Sequence, residues 1–224
     1  MRGRWASYKT DNLMILKKYI CILYVLSILC LSCKSDYEKE VEKSKKLTTF
    51  LRTEKLPSYD SMYNKIIGER TNPTSQDLLI DSLYQTTKKV TGLIDSLTME
   101  VERIDSTGEN RNIGKSLLVN SPAGLKLTKG AKAIQQYCLE LIIDNKKKII
   151  LNQQFLKYKG YLGSTEFNDI YFSQSSTSFI LMTLVGLKND LIRATYFALA
   201  AQDESVTKLY ERTTKGFAQV GQTE

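Results

Sequence analysis

The chain has 224 residues, of which 42% are hydrophobic and 25% charged, and these ordinary values argue against disorder throughout. Its 3 prolines and 12 glycines are few, which favours long helices over a sandwich of many short strands. It contains no histidine, and this excludes Ser-His and Cys-His nucleophile systems and most zinc sites. Catalysis by carboxylates, lysine or tyrosine remains possible without histidine. We nevertheless predict a protein that is not an enzyme and uses neither metal nor cofactor.

The net charge is +8, from 32 basic and 24 acidic residues. Residues 1–32 hold five of the basic and one of the acidic residues, so 27 basic and 23 acidic residues remain, a net charge of +4. In residues 33–224, basic and acidic residues alternate along the sequence, apart from the short run Lys146–Lys148. A nucleic-acid groove would need a clustered basic stripe with interleaved aromatic residues. We therefore predict a solvated surface and no nucleic-acid partner.

The N-terminal region has the pattern of a secretory signal. Lys17 and Lys18 precede an uncharged run from Tyr19 to Ser32, which is shorter than the ~20 residues of a bilayer-spanning helix. Cys33 follows, and the chain is strongly polar from there onward. This arrangement resembles a bacterial lipoprotein signal, which implies that residues 1–32 are a signal peptide and that Cys33 is lipidated.

Four points about this region leave alternatives. Cys30 could be the modified residue instead, but Leu29 is a poor small residue at the cleavage position, so we favour Cys33. An uncleaved signal anchor would leave the same domain outside the membrane. Met14 is the natural start of such a leader, which places residues 1–13 upstream of it. Residues 34–36 partly match the surface-export signal of Bacteroidetes lipoproteins, so the periplasmic face and the outer surface both stay open.

The first half of the remaining chain predicts three helices. One runs from Asp36 to Arg52, and a short one follows the break at Pro57. Thr74 or Ser75 is placed to cap a third, long helix that ends near Asp105. Its apolar residues recur every three or four positions, which predicts one buried stripe: Leu79, Leu83, Val90, Leu93, Ile94, Leu97, Val101 and Ile104.

The second half predicts a loop over 109–124 and two more long helices. The first begins at Leu127 and carries an apolar side formed by Ala131, Ile134, Cys138, Leu141, Ile142 and Ile149. Cys138 is then a small buried thiol, since no histidine is present to activate it. The last helix, from about Ser175 to Gln202, is apolar around much of its circumference, which is typical of the central helix of a bundle.

Residues 155–172 are aromatic-rich and irregular in pattern. We expect them to pack over the end of the bundle; the alternative is a ligand-binding surface, whose candidate residues are Tyr158, Tyr161, Tyr171 and Phe172. The fold class that follows is all-α: an antiparallel bundle of long helices with an irregular aromatic-rich loop. The predicted domain spans 33–203, and 204–224 form a polar tail.

Three stretches of this pattern resemble a known family. They are Leu93–Val101, the segment from Gly124 to Leu141 with Ala133 and Tyr137, and the segment from Phe172 to Ile192 that contains Lys188-Asn189-Asp190. Their order and spacing resemble the N-terminal extracytoplasmic helical domain of the GldM/PorM family, the gliding-motility and type IX secretion motor proteins. That family has a transmembrane helix where this chain has the lipoprotein leader. The resemblance therefore implies a fold and a neighbourhood in the cell envelope, but not motor coupling.

Together these features predict a lipid-anchored membrane protein of the cell envelope. We expect a non-enzymatic helical scaffold or adaptor that binds protein partners, with gliding motility or type IX secretion as the implied setting. The alternative is a ligand-binding lipoprotein that uses residues 155–172.

Overall fold

The computed structural model describes residues 35–68, 74–119, 121–155, 158 and 162–202. The leader with Cys33, the candidate residue Tyr161 and the tail 204–224 lie outside the described residues. The chain divides into two compact units, 1–40 and 41–224. Of the first unit only residues 35–40 are described, and Ser35 caps the helix that begins there, with its Oγ accepting the N–H of Glu38 at 3.2 Å.

The described part of the chain is helical, which confirms the predicted all-α bundle. It includes one π-helical turn, Lys115–Val119. The α-helices in chain order are α1 (Asp36–Thr53), α2 (Tyr59–Gly68), α3 (Ser75–Ile104), α4 (Pro122–Leu141), α5 (Asn145–Phe155), α6 (Thr165–Phe172) and α7 (Thr177–Ala200).

The long helix α3 begins and ends where its sequence predicts. Thr74 accepts the N–H of Asp77, and the Asp77 carboxylate accepts the N–H of Thr74 at 2.6 Å, so both partners of a capping box are present. Asp105 follows the last helical residue in an extended conformation. Within the predicted stripe Leu83, Ile94 and Val101 are fully buried, and Leu79 and Leu93 are half-buried. Ile104 corrects the prediction: it lies in the last turn of the helix and is 44% exposed.

The three long helices α3, α4 and α7 form the centre of the bundle. The N–H of Thr177 donates to the carbonyl of Asn110 at 3.0 Å, which places the start of α7 beside the end of α3. At the other end of the bundle, the side chain of Gln202 donates to the carbonyl of Leu141 at 3.0 Å. Helix α3 therefore runs antiparallel to both α4 and α7.

Helix α7 is the central helix, as its sequence predicts. It is buried on nearly every side, and α2, α3, α4, α5 and α6 all pack against it. Even polar groups are enclosed there: the hydroxyls of Thr87 and Thr195 share a hydrogen bond of 2.8 Å and have no solvent exposure. A buried pair of this kind satisfies both hydroxyls inside an apolar core.

The structure corrects the prediction that Ile149 lies on the apolar side of the same helix as Leu141. Helix α4 ends at Leu141, and Ile142 adopts an extended conformation. Asp144 then starts α5, because its carboxylate accepts the N–H of Lys146 at 2.7 Å. The helical register is broken by this turn, and Ile149 is exposed on α5.

Two segments are more regular than predicted. Helix α4 begins at Pro122 rather than Leu127, with the hydroxyl of Ser121 accepting the N–H of Gly124 at 2.9 Å. The aromatic-rich segment contains helix α6, although its sequence predicts an irregular loop. Among the residues described, no helix is both long and apolar enough to cross a bilayer.

Candidate functional site

The aromatic segment lies mostly in the interior. Tyr158, Phe167 and Phe172 are buried, and Tyr171 is half-buried. The ring centroids of Tyr158 and Phe167 lie 5.8 Å apart, and those of Phe167 and Phe172 also 5.8 Å apart, both edge to face. Aromatic pairs favour this geometry at these distances. Of the predicted candidate residues, Tyr158 and Phe172 therefore pack against other rings, and Tyr171 contacts Phe167 with a centroid separation of 4.8 Å.

Tyr158 joins this cluster to the central helix through its hydroxyl. It donates a hydrogen bond of 2.6 Å to the carboxylate of Asp190, and both side chains are buried. Burial, followed by the negative charge of Asp190 and the hydrogen bond to it, raises the pKa of Tyr158 well above its ordinary value. The tyrosine therefore stays protonated and acts as a fixed donor.

Asp190 belongs to a polar step of three consecutive residues on α7, and each contacts a different part of the bundle. Lys188 pairs with Asp95 of α3, with nitrogen–oxygen distances of 2.6 and 2.8 Å. The Asn189 side chain donates to the carbonyl of Leu51 in α1 at 2.8 Å. Successive residues of a helix point about 100° apart, so three neighbours reach three directions. The three residues of this step thus connect α7 to different parts of the bundle.

A cleft of about 420 Å³ opens elsewhere, between the second half of α1, the end of α3 and the start of α7. Two of its charged groups pair with each other, since Arg52 contacts Glu102 at 2.5 Å. The carboxylate of Asp105 accepts backbone N–H groups of Thr107 and Asn110, each at 2.8 Å. The lining residues are Lys45, Thr48, Thr49, Arg52, Glu102, Asp105, Ser106, Gly108, Ser178 and Leu181.

Hydrogen bonds fix the charge of Asp105. Burial disfavours the charged carboxylate, but hydrogen bonds from Thr107, Asn110 and Thr177 outweigh it and hold the pKa of Asp105 well below its ordinary value. The hydroxyl of Ser178 is buried and has no hydrogen-bond partner among the described residues. The lining of the cleft combines charged side chains with hydroxyl groups, so it offers ionic and polar contacts.

Cys138 is buried in the core, as predicted from its helical position. Burial raises the pKa of its thiol far above the ordinary value, against a smaller opposing effect of a hydrogen bond to Thr195. A thiol in this state is a packing residue. Within the part of the chain that the structure describes, no group of three or more cysteine and acidic side chains is placed to hold a metal ion.

In contrast to the buried aromatic segment, helix α1 presents apolar side chains to solvent. Phe50 is 61% exposed, and Leu47, one turn earlier, is exposed beside it on the same side of the helix. The side of the helix that carries Ser44 and Thr48 is buried against the bundle. Sequence reasoning missed this pair, because the periodicity of α1 does not tell which apolar residues face inward.

Comparison with family models, with curated proteins and with solved structures finds no match to this chain.

Proposed function

We propose that this protein is a lipoprotein of the cell envelope, anchored through Cys33, and that its helical bundle is a non-enzymatic adaptor for protein partners. The anchor rests on the sequence: the basic residues, short apolar run and small residues before Cys33. The GldM/PorM resemblance adds gliding motility or type IX secretion as the setting in which partners are sought.

The observation that carries the adaptor role is the distribution of large apolar side chains. The rings of the aromatic segment pack against one another, whereas Phe50 and Leu47 stand exposed on α1. Exposed aromatic residues commonly supply the anchor of a protein interface, where they fill a pocket of the partner. The same distribution supports the adaptor over the ligand-binding alternative, since Tyr158 and Phe172 are enclosed.

The partner-binding face that we assign is the outer side of α1 around Leu47 and Phe50. Its ionic surroundings are mixed: Lys46 pairs with Glu42 at 2.9 Å, and Arg52 with Glu102. A mixed-charge rim around an apolar centre is the usual composition of a protein interface. We therefore expect a protein partner that covers Phe50, rather than a nucleic acid.

The test is affinity capture of the full-length protein from its own envelope after chemical cross-linking. The double substitution Leu47→Ser and Phe50→Ser is compared with Met99→Ser, which removes an equally prominent side chain (71% exposed) from α3. The proposal expects a defined set of envelope proteins with the wild-type chain and with Met99→Ser, reduced by roughly tenfold or more with the double variant. Equal recovery in all three would reject this face as the binding surface.

A further inference from the structure

The turn between α4 and α5, here the α4–α5 corner (residues 143–149), displays apolar side chains to solvent. Ile142 is buried at the end of α4, but the next residue, Ile143, is 86% exposed. Ile149 is 58% exposed on the outer side of α5, one turn after Lys146. Leaving two isoleucines in water forgoes the free energy gained by burying them. The corner therefore has apolar surface available for a contact.

The same corner carries three cations in consecutive positions. Lys146, Lys147 and Lys148 lie in the first turn of α5, where the positive end of the helix dipole disfavours basic residues. No ion pair of theirs occurs among the residues described. Asp144 is the one acid in 143–149 and already accepts the N–H of Lys146, so the corner keeps a charge of +2. An anionic surface would relieve this unfavourable arrangement.

A second helix end adds apolar surface at the same end of the bundle. The side chain of Gln202 contacts that of Gln76 and donates to the carbonyl of Leu141, so the start of α3 meets the end of α4 there. Leu78, two residues after Gln76, is 70% exposed. Three large apolar side chains and three lysines thus lie at one end of the bundle.

This combination fits a lipid surface better than a protein partner. Ile143 projects from the turn and Ile149 from the first turns of α5, and the cleft described above lies at the opposite end of the bundle, beside the end of α3. A stable protein interface buries about 800 Å² on each side with matched shapes, whereas a layer of headgroups deforms around a projecting side chain. Lysine ammonium groups on flexible stems suit mobile phosphates.

We infer that the α4–α5 corner binds an anionic membrane surface, with lysines 146–148 at the headgroup phosphates and Ile143 and Ile149 in the apolar boundary below them. The contact is separate from lipidation at Cys33, because it concerns how the folded bundle meets the bilayer. Each lysine near an anionic surface increases the ratio of membrane-bound to unbound protein about fivefold, and three lysines increase it on the order of 100-fold.

The test places a fluorescent reporter at the corner of the full-length chain. The one tryptophan of the sequence, Trp5, lies in the predicted signal peptide, so Ile143→Trp supplies the reporter, and the parent chain measured in parallel supplies the background. The protein is reconstituted into vesicles of phosphatidylcholine alone, or with about 30% phosphatidylglycerol, each containing brominated lipid that quenches tryptophan on contact. We expect quenching of the introduced indole in the anionic vesicles, its near absence in the neutral ones, and its loss in about 0.5 M salt.

A triple Lys→Glu change at 146, 147 and 148 should abolish the quenching. The matched control is the same change at Lys115, Lys126 and Lys129, three exposed lysines of the bundle, and should leave the quenching in place. Helical circular dichroism checks that each variant folds. Equal quenching in neutral and anionic vesicles, or none in either, would overturn the inference. An emission shift of the Ile143→Trp variant with soluble polyglutamate, but not with anionic vesicles, would also overturn it and assign the corner to an acidic protein.

Discussion

The buried hydrogen bond between Tyr158 and Asp190 should contribute measurably to stability. In Tyr158→Phe the carboxylate loses a donor at 2.6 Å, and both residues are buried too deeply for water to replace it. A hydrogen bond to a charged group contributes about 1.5–3 kcal/mol. Arg193 still lies 3.6 Å from the other carboxylate oxygen, so the cost should stay below that of an isolated buried charge. We expect the free energy of unfolding to fall by about 2 kcal/mol.

The assay is urea unfolding followed by helical circular dichroism. With a urea dependence of about 2 kcal/mol per M, the midpoint should fall by roughly 1 M. The control is Tyr137→Phe, at a half-buried tyrosine of α4 with no described hydrogen bond, and its midpoint should move by less than about 0.3 M. If both substitutions shift the midpoint equally, the Tyr158–Asp190 contact does not connect the aromatic segment to α7 as argued.

Three other predictions follow from particular contacts. A methyl group on Gly130 would overlap Cγ2 of Val90, so Gly130→Ala should lower the free energy of unfolding by about 1–3 kcal/mol, although alanine has the better helix propensity. In a Val90→Ala background the overlap is removed, and Gly130→Ala should raise the free energy of unfolding. The midpoints of urea unfolding measure both changes. The pKa of Asp105 is lower in the folded protein than in the unfolded chain, where it is about 3.9. The ionised carboxylate therefore stabilises the fold above the unfolded pKa, and this stabilisation is lost as the pH falls through the folded pKa. We expect Asp105→Asn to lower the free energy of unfolding at about pH 7 and to have the same stability as wild type in unfolding titrations at the most acidic pH. Cys138 should resist alkylation by iodoacetamide in the native protein and react fully in about 8 M urea, which peptide mass spectrometry measures. Rapid alkylation of Cys138 in the native protein would contradict its burial.

Local features of this fold were predictable from the sequence because local physics determines them. The stripe of α3 and its cap at Thr74 depend on residues within one or two turns, and the structure has both where the pattern indicates, apart from the exposed Ile104 at the end of the stripe. The break after Leu141 was not predictable in the same way. Ile142, Ile143 and Ile149 continue an apolar pattern, and only the fold decides that the first is buried and the other two are exposed.

The candidate site was predictable only in part, for a similar reason. The aromatic residues of 155–172 are evident in the sequence, but their burial depends on contacts distant along the chain. Tyr158 meets Asp190, 32 residues away, and Lys188 meets Asp95, 93 residues away. No local pattern indicates such pairs, so the polar step of α7 reads as an isolated irregularity until the helices are assembled around it.

The central claim, an envelope adaptor anchored through Cys33, is tested most directly by labelling cells with a palmitate analogue and capturing the full-length protein from the envelope. Wild type, Cys33→Ala and Cys30→Ala are compared for lipid label and for recovered partners. The account predicts that wild type and Cys30→Ala carry the label and bring down the same envelope proteins, while Cys33→Ala loses both. A label that survives Cys33→Ala, or a wild-type chain that takes up none, would contradict it.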